Sequence, residues 1–119
     1  MIDHVKLLGT TDGSGDASET ASVAIYGCLV AVEWAVGSLA TGVDAVLSVT
    51  KTTSGVDHTL LTLTDANANG WYYPRATASD NAGAAIVSYV EDVIQGHLKL
   101  VIAQGGDTKT GGCVVYFEG

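Results

Sequence analysis

One proline, one methionine and one phenylalanine stand among 119 residues, with two cysteines and five lysines and arginines in all. Each scarcity excludes something. Five cations against thirteen carboxylates give a formal charge of −8, too few positive groups to neutralise a row of phosphates and release their counterions, so nucleic acid is not an expected partner. The same deficit removes the polybasic segment that draws proteins to anionic membranes. Cys28 and Cys113 form no Cys-x-x-Cys pair of the kind that signals zinc or redox chemistry. They read as two buried thiols, or as a bridge if the strands that carry them are neighbours. Long apolar runs are missing as well: the longest, 21–37, is broken by Ser22, Tyr26, Gly27 and Glu33 and falls short of the roughly 20 residues of a membrane helix. No charged leader precedes an apolar block at the N-terminus, so synthesis in the cytoplasm is expected.

What remains is apolar and rich in turns. Hydrophobic residues make up 47% of the chain and charged ones 15%, a ratio that drives collapse rather than disorder, and the length suits one domain, 1–119. Val, Thr, Leu and Tyr in short runs, cut by Gly, Asp, Asn and Ser clusters, are the material of sheets. Strands are expected at 2–8, 22–36, 45–53, 58–64, 97–103 and 113–118, the last two as partners. Pro74 makes the segment around it an edge strand or an extended arm. Leu61 and Leu63 are expected on one face, with Leu60, Thr62 and Thr64 on the other. A short helix competes with strand at 82–89, and a flexible Gly/Asp-rich loop is expected at about 9–20. The fold class is all-β: an antiparallel β-sandwich or partly closed β-barrel of about six to eight short strands.

Little in this sequence assembles chemistry. Asp65-x-Asn67-x-Asn69-Gly70 copies the first half of a calcium loop, but Ala76 stands where the bidentate carboxylate belongs, so a polar turn is the better reading and no metal is expected. The glycines between Asp12 and Asp16 are followed by no lysine to meet a phosphate. His4, His58 and His97 fall on three separate expected strands, and His58 and Asp57, as chain neighbours, point to opposite faces. A Gly-x-Ser-x-Gly elbow is absent, and Glu33 and Asp44 are a glycosidase pair only if the fold brings them together. No enzyme and no cofactor are expected. Trp71-Tyr72-Tyr73-Pro74-Arg75 is the most informative block, because aromatics beside an arginine are the residue types of interface hot spots.

Gly27-Cys28-Leu29-Val30-Ala31-Val32, Leu60 to Asp65 ahead of Gly70-Trp71-Tyr72-Tyr73-Pro74-Arg75, Asp80-Asn81-Ala82-Gly83 and Gly96 to Val101 leading to Val114-Val115-Tyr116-Phe117 follow one another in order. In that order the chain resembles small virion proteins encoded among the head and tail genes of tailed bacteriophages. The resemblance implies a structural protein of the virion, made in the host cytoplasm, that decorates or cements the capsid as a homo-oligomer against the major capsid protein. It also allows a head-tail or tail component. Two other classes stay open: a carbohydrate- or ligand-binding β module that uses Trp34, Trp71 and the tyrosines as stacking platforms, and a small hydrolase.

Overall fold

The computed structural model describes residues 1–52 and 54–119, and among them it holds ten strands and no helix. In chain order these are β1 (Ile2–Thr10), β2 (Ala17–Thr20), β3 (Ile25–Ala35), β4 (Asp44–Lys51), β5 (Asp57–Leu63), β6 (Gly70–Tyr72), β7 (Arg75–Ser79), β8 (Ala85–Glu91), β9 (Val93–Ala103) and β10 (Thr110–Glu118). Every pairing is antiparallel. Strands β2, β7 and β8 raise the number above the six to eight expected. The end of the strand expected at 45–53 lies outside the described residues.

Strand β3 belongs to two layers. Along one edge it pairs with β10, which in turn pairs with β1. Its other edge is divided: Ile25 to Cys28 pair with β9, and Val32 to Trp34 pair with β6. The sheet therefore folds over into one layer of β1, β10, β3 and β6 and a second of β2, β9, β4 and β5. Between the layers lies one core, with Leu29, Val32, Trp34, Cys113 and Val115 from the first and Ala45, Leu47, Val49, Leu98, Leu100 and Ile102 from the second. β1 comes back towards β2 at Gly9, which packs on Ala17 and Glu19, so the sandwich is partly closed along that side.

Alternation explains most of this placement. In β9 the even residues Leu98, Leu100 and Ile102 are buried while Val101 faces out, as the period of two requires. In β5 the alternation is broken. Leu47 pairs with Leu61 but Ser48 pairs with Thr59, so Leu60 is the extra residue of a β-bulge, and Leu60 and Leu63 both reach the core. The expected split of Leu61 and Leu63 from Leu60 is corrected by that bulge. Strands β9 and β10 are not partners: they lie in different layers. The stretch 82–89 is a turn followed by β8, without helix.

The expected flexible loop at about 9–20 is shorter and tied down. Thr10 ends β1, Ala17 begins β2, and between them Asp12 Oδ1 accepts the backbone N–H groups of Ser14 and Asp16. Buried Thr11 donates its hydroxyl to Gly106 O, and Gly105 N–H donates to Gly15 O.

Strands β7 and β8 form a separate two-stranded sheet that projects from the sandwich. This arm helps account for the long axis of 48 Å against 29 and 26 Å, and for a radius of gyration of 14.8 Å, above the about 13.5 Å of a compact chain this long.

Where β3 meets β9, Gly96 has φ +140°, and a Cβ there would lie 1.9 Å from Thr50 O. Gly96→Ala is expected to lower stability by about 3 kcal/mol, combining overpacking with backbone strain. Gly13→Ala, where a Cβ meets nothing, should change it by less than about 0.5 kcal/mol. Urea denaturation of both variants checks the contrast.

Candidate functional site

Three surface features stand out against the closed core. The first is a ledge on the outer face of the β1-β10-β3-β6 layer. Register places His4 beside Tyr116 and Glu33 beside Trp71, and Val115 and Val32 turn inward as their neighbours turn out. The Trp71 and Tyr116 rings lean together over β3, their centroids 5.4 Å apart and their planes 29° from parallel. His4 tilts against the far side of Tyr116 at 6.0 Å. The Tyr116 hydroxyl donates to Glu33 Oε1 at 3.3 Å. Trp71 remains 53% exposed, so its ring is fixed by stacking yet open to solvent.

The second feature is the arm. Every residue of β8 is exposed, among them Ile86, Val87, Tyr89 and Val90. Nearby in sequence, Tyr73 and Val93 are exposed too. The arm's tip is orderly: Asp80 Oδ1 accepts from Ala82 and Ala84 N–H, and Gly83 takes φ +84°. Its base is clamped, because Leu29 N–H donates to Asp92 O, Lys51 Nζ donates to Val93 O, and His58 Nε2 lies 2.8 Å from Asp92 Oδ1.

The third is a groove of about 530 Å³ beside β1, lined by His4, Lys6, Leu8, Glu19, Val23 and Phe117 among others. β1 ends the sheet path, so its outer edge leaves backbone donors and acceptors without a strand partner.

The expected aromatic block is divided by its geometry. Trp71 and Tyr73 are exposed, Tyr72 turns inward against the core, and the Arg75 guanidinium donates to Val30 O at 3.2 Å and Pro74 O at 2.8 Å. Arg75 thus braces its own chain at the root of the arm. Trp34 is no platform: it is 1% exposed and its Nε1–H donates to Ala66 O. Tyr116, His4 and Glu33 were not singled out as one site from sequence, since only the pairing of β1, β10, β3 and β6 brings them together. The apolar residues of β8 carried a signal, being apolar at both parities in a strand with no polar face.

Cys28 and Cys113 do lie on adjacent strands, but Cys28 pairs with Glu118 and Cys113 with Trp34. Five residues along β10 separate those positions, about 17 Å at 3.4 Å per residue, so the bridge is ruled out and both thiols are free. The histidines stay apart: His97 Nδ1 meets Ala21 O, and His58 takes Asp92 while Asp57 accepts from Thr50. In the calcium-like turn, Asn67 Oδ1 accepts from Gly42 N–H and Asn69 Oδ1 from Val36 N–H, which explains the asparagines as loop ties. Glu33 and Asp44 sit in different layers, and Asp44 Oδ1 accepts from Asp65 N–H. Among the described residues, no group of three His, Cys, Asp or Glu side chains is placed to hold a metal ion.

No protein-family model matches the chain, and no curated protein matches it significantly. Among solved structures, CBM32-3 from a family 31 glycoside hydrolase from Clostridium perfringens overlaps with a TM-score of 0.47 at 10% identity, covering 100% of this chain and 76% of that one. A non-crystalline cellulose specific carbohydrate-binding module, CBM28, overlaps with a TM-score of 0.37 at 12% identity, covering 98% and 73%. Overlaps this loose transfer neither ligand nor role.

Two titrations check the geometry. Partial burial and then the charge and hydrogen bond of Glu33 raise the Tyr116 phenol above its ordinary value. The neutral form is the one the fold favours, so this contribution to stability is complete below the unfolded pKa and fades as pH rises through the folded one. Glu33→Gln is expected to bring the Tyr116 transition down in an ultraviolet absorbance titration. Burial pushes the Cys113 thiol up to about 12, which keeps it protonated and inert near neutral pH. Iodoacetamide should therefore leave Cys113 unmodified in the native protein and label it once urea unfolds the chain, as read by mass spectrometry.

Proposed function

We propose that this chain is a structural subunit that holds a protein assembly together, with no reaction to perform. One observation carries the reading: the β7–β8 arm stands clear of the sandwich with Ile86, Val87, Tyr89 and Val90 all exposed on β8. A lone two-stranded hairpin is marginal in water, and apolar side chains left open on both of its faces mark a contact site in a protein otherwise charged enough to stay soluble. The unpaired edge of β1 supports the same reading, because an open edge accepts a strand from another chain. Binding only the assembled form would stabilise that form by mass action.

The specific role we assign is that of the resemblance in sequence: a virion component of a tailed bacteriophage, decorating the capsid as a homo-oligomer against the major capsid protein. A second reading, a carbohydrate-binding β module, has its own observation in its favour, the ledge of Trp71 and Tyr116, which offers an open aromatic face beside a carboxylate.

Light scattering across a concentration series, and co-sedimentation with shells of the capsid protein from the same genome, test the assembly reading. The double variant Val87→Asp, Tyr89→Asp is expected to weaken association by at least about tenfold, the scale of an interface hot spot. Its melting temperature should barely change, since both side chains are already exposed. A wild-type chain that stays monomeric throughout and ignores the shells overturns the assignment.

A further inference from the structure

We propose that the ledge of Trp71, Tyr116, Glu33 and His4 is a binding site for one neutral pyranose ring of a glycan. The inference rests on the carbohydrate-binding reading and adds the site and the class of sugar.

A pyranose has an apolar face of C–H bonds and a rim of hydroxyls, so a site for it needs a flat π-surface and, at the edge of that surface, acceptors for O–H groups. Trp71 supplies the surface. Its ring is more than half exposed, yet one side rests on Tyr116, which leaves a single open face and therefore room for a single sugar. Glu33 is the residue directly across from Trp71 in the β3–β6 ladder. Its carboxylate accepts from the Tyr116 hydroxyl at 3.3 Å and has lone pairs to spare for a sugar hydroxyl, because a carboxylate offers about four acceptor positions. His4 stands on the other side of Tyr116, away from the open face of Trp71, and backs the Tyr116 ring rather than meeting the sugar.

These groups are held before any ligand arrives. Three residue pairs fix β6 to β3, from Val32↔Tyr72 to Trp34↔Gly70. Stacking holds the indole, and Glu33 holds the phenol. Binding then loses little side-chain freedom.

Charge sets the class. Glu33 is the one charged side chain at the edge of the Trp71 ring, on a chain of net charge −8, while Lys6 on the same outward face lies two strands from Glu33, across Val114. Uronic and sialic acids would meet like charge, so the site suits neutral sugars. One ring on one aromatic face buries little area, which puts the affinity in the millimolar range.

The two tryptophans make the test direct, because Trp34 is buried and Trp71 is not. Neutral oligosaccharides of glucose, galactose and mannose, and the acidic oligogalacturonates and sialyllactose, are titrated into ¹⁵N-labelled protein while both indole N–H signals are followed. At millimolar concentration at least one neutral sugar is expected to move the Trp71 signal and leave that of Trp34 in place. Trp71→Ala should weaken this binding at least tenfold, and Glu33→Gln should weaken it less with the fold intact. Neutral binding that shifts other signals and is indifferent to Trp71→Ala sinks the site while leaving the carbohydrate reading standing. Acidic sugars that bind as well as neutral ones refute the assignment of class. If no sugar binds, both the inference and the reading beneath it fail. If the Trp71 signal responds instead to protein concentration or to a capsid protein, the ledge is a protein contact and the proposal is overturned.

Discussion

A strand shared by two layers has to bend where it passes from one to the other, and in this fold that place is the crossing of β3 and β9, whose glycines let the flanking strands β4 and β10 come close. Four residue pairs join them, Ile25↔Gly96 through Cys28↔Val93. Gly96 faces Thr50 O, and Gly27 faces Glu118 O, at distances that a Cβ would violate. The chain thus turns its corner where glycine removes the obstruction. Beyond the corner β3 carries Val32 and Trp34 into the core and presents Ala31 and Glu33 to the other side, under the ledge.

The same corner anchors the arm. Asp92 follows β8 directly and is gripped by Leu29 N–H and by His58, while Arg75 at the other root reaches Val30 O. Root and shaft therefore differ in kind. The root is hydrogen-bonded to β3 and β5, whereas the shaft leaves Val87 and Tyr89 in water. Fully burying one large apolar side chain is worth about 1.5–3 kcal/mol, so the open Val87 and Tyr89, with Ile86 and Val90 half covered, leave several kcal/mol that contact could supply. A base that holds direction, beneath a shaft that would gain stability on contact, is what the proposed assembly role requires of the arm.

Sequence revealed the parts of this structure that depend on period and composition. The all-β class, the buried faces of 97–103, and the edge character of the segment around Pro74 follow from alternation and from a missing N–H. What failed depended on pairing. Alternation in β5 is sound until the bulge at Leu60, which one sequence does not announce. A bridge between Cys28 and Cys113 was conditional on neighbouring strands; the strands are neighbours, yet register sets the two cysteines five residues apart. His97–Ala103 and Cys113–Glu118 look like hairpin mates because a short polar stretch joins them, but each finds its partners elsewhere in the sandwich. Trp34 and Trp71 look alike in sequence. Only the parity of β3, which sends Trp34 to the core, and the outward register of β6 separate a structural indole from an available one. The ledge was illegible for the same reason: its four residues come from four strands that only the fold makes neighbours.

The arm and the ledge make compatible demands on the molecule. A site that holds a single sugar is weak by itself, because one ring contact must offset the loss of translational and rotational freedom. Copies joined through their arms would repeat the ledge at fixed spacing, and each further contact would then form at a high effective concentration, raising avidity by orders of magnitude without any new contact type. Association through β8 leaves the outer face of the β1-β10-β3-β6 layer free wherever the neighbour covers only the arm and the open edge of β1. The acidic surface fits that division, since like charge would keep the sandwiches themselves from clumping while the apolar side chains of β8 would supply attraction along the arm.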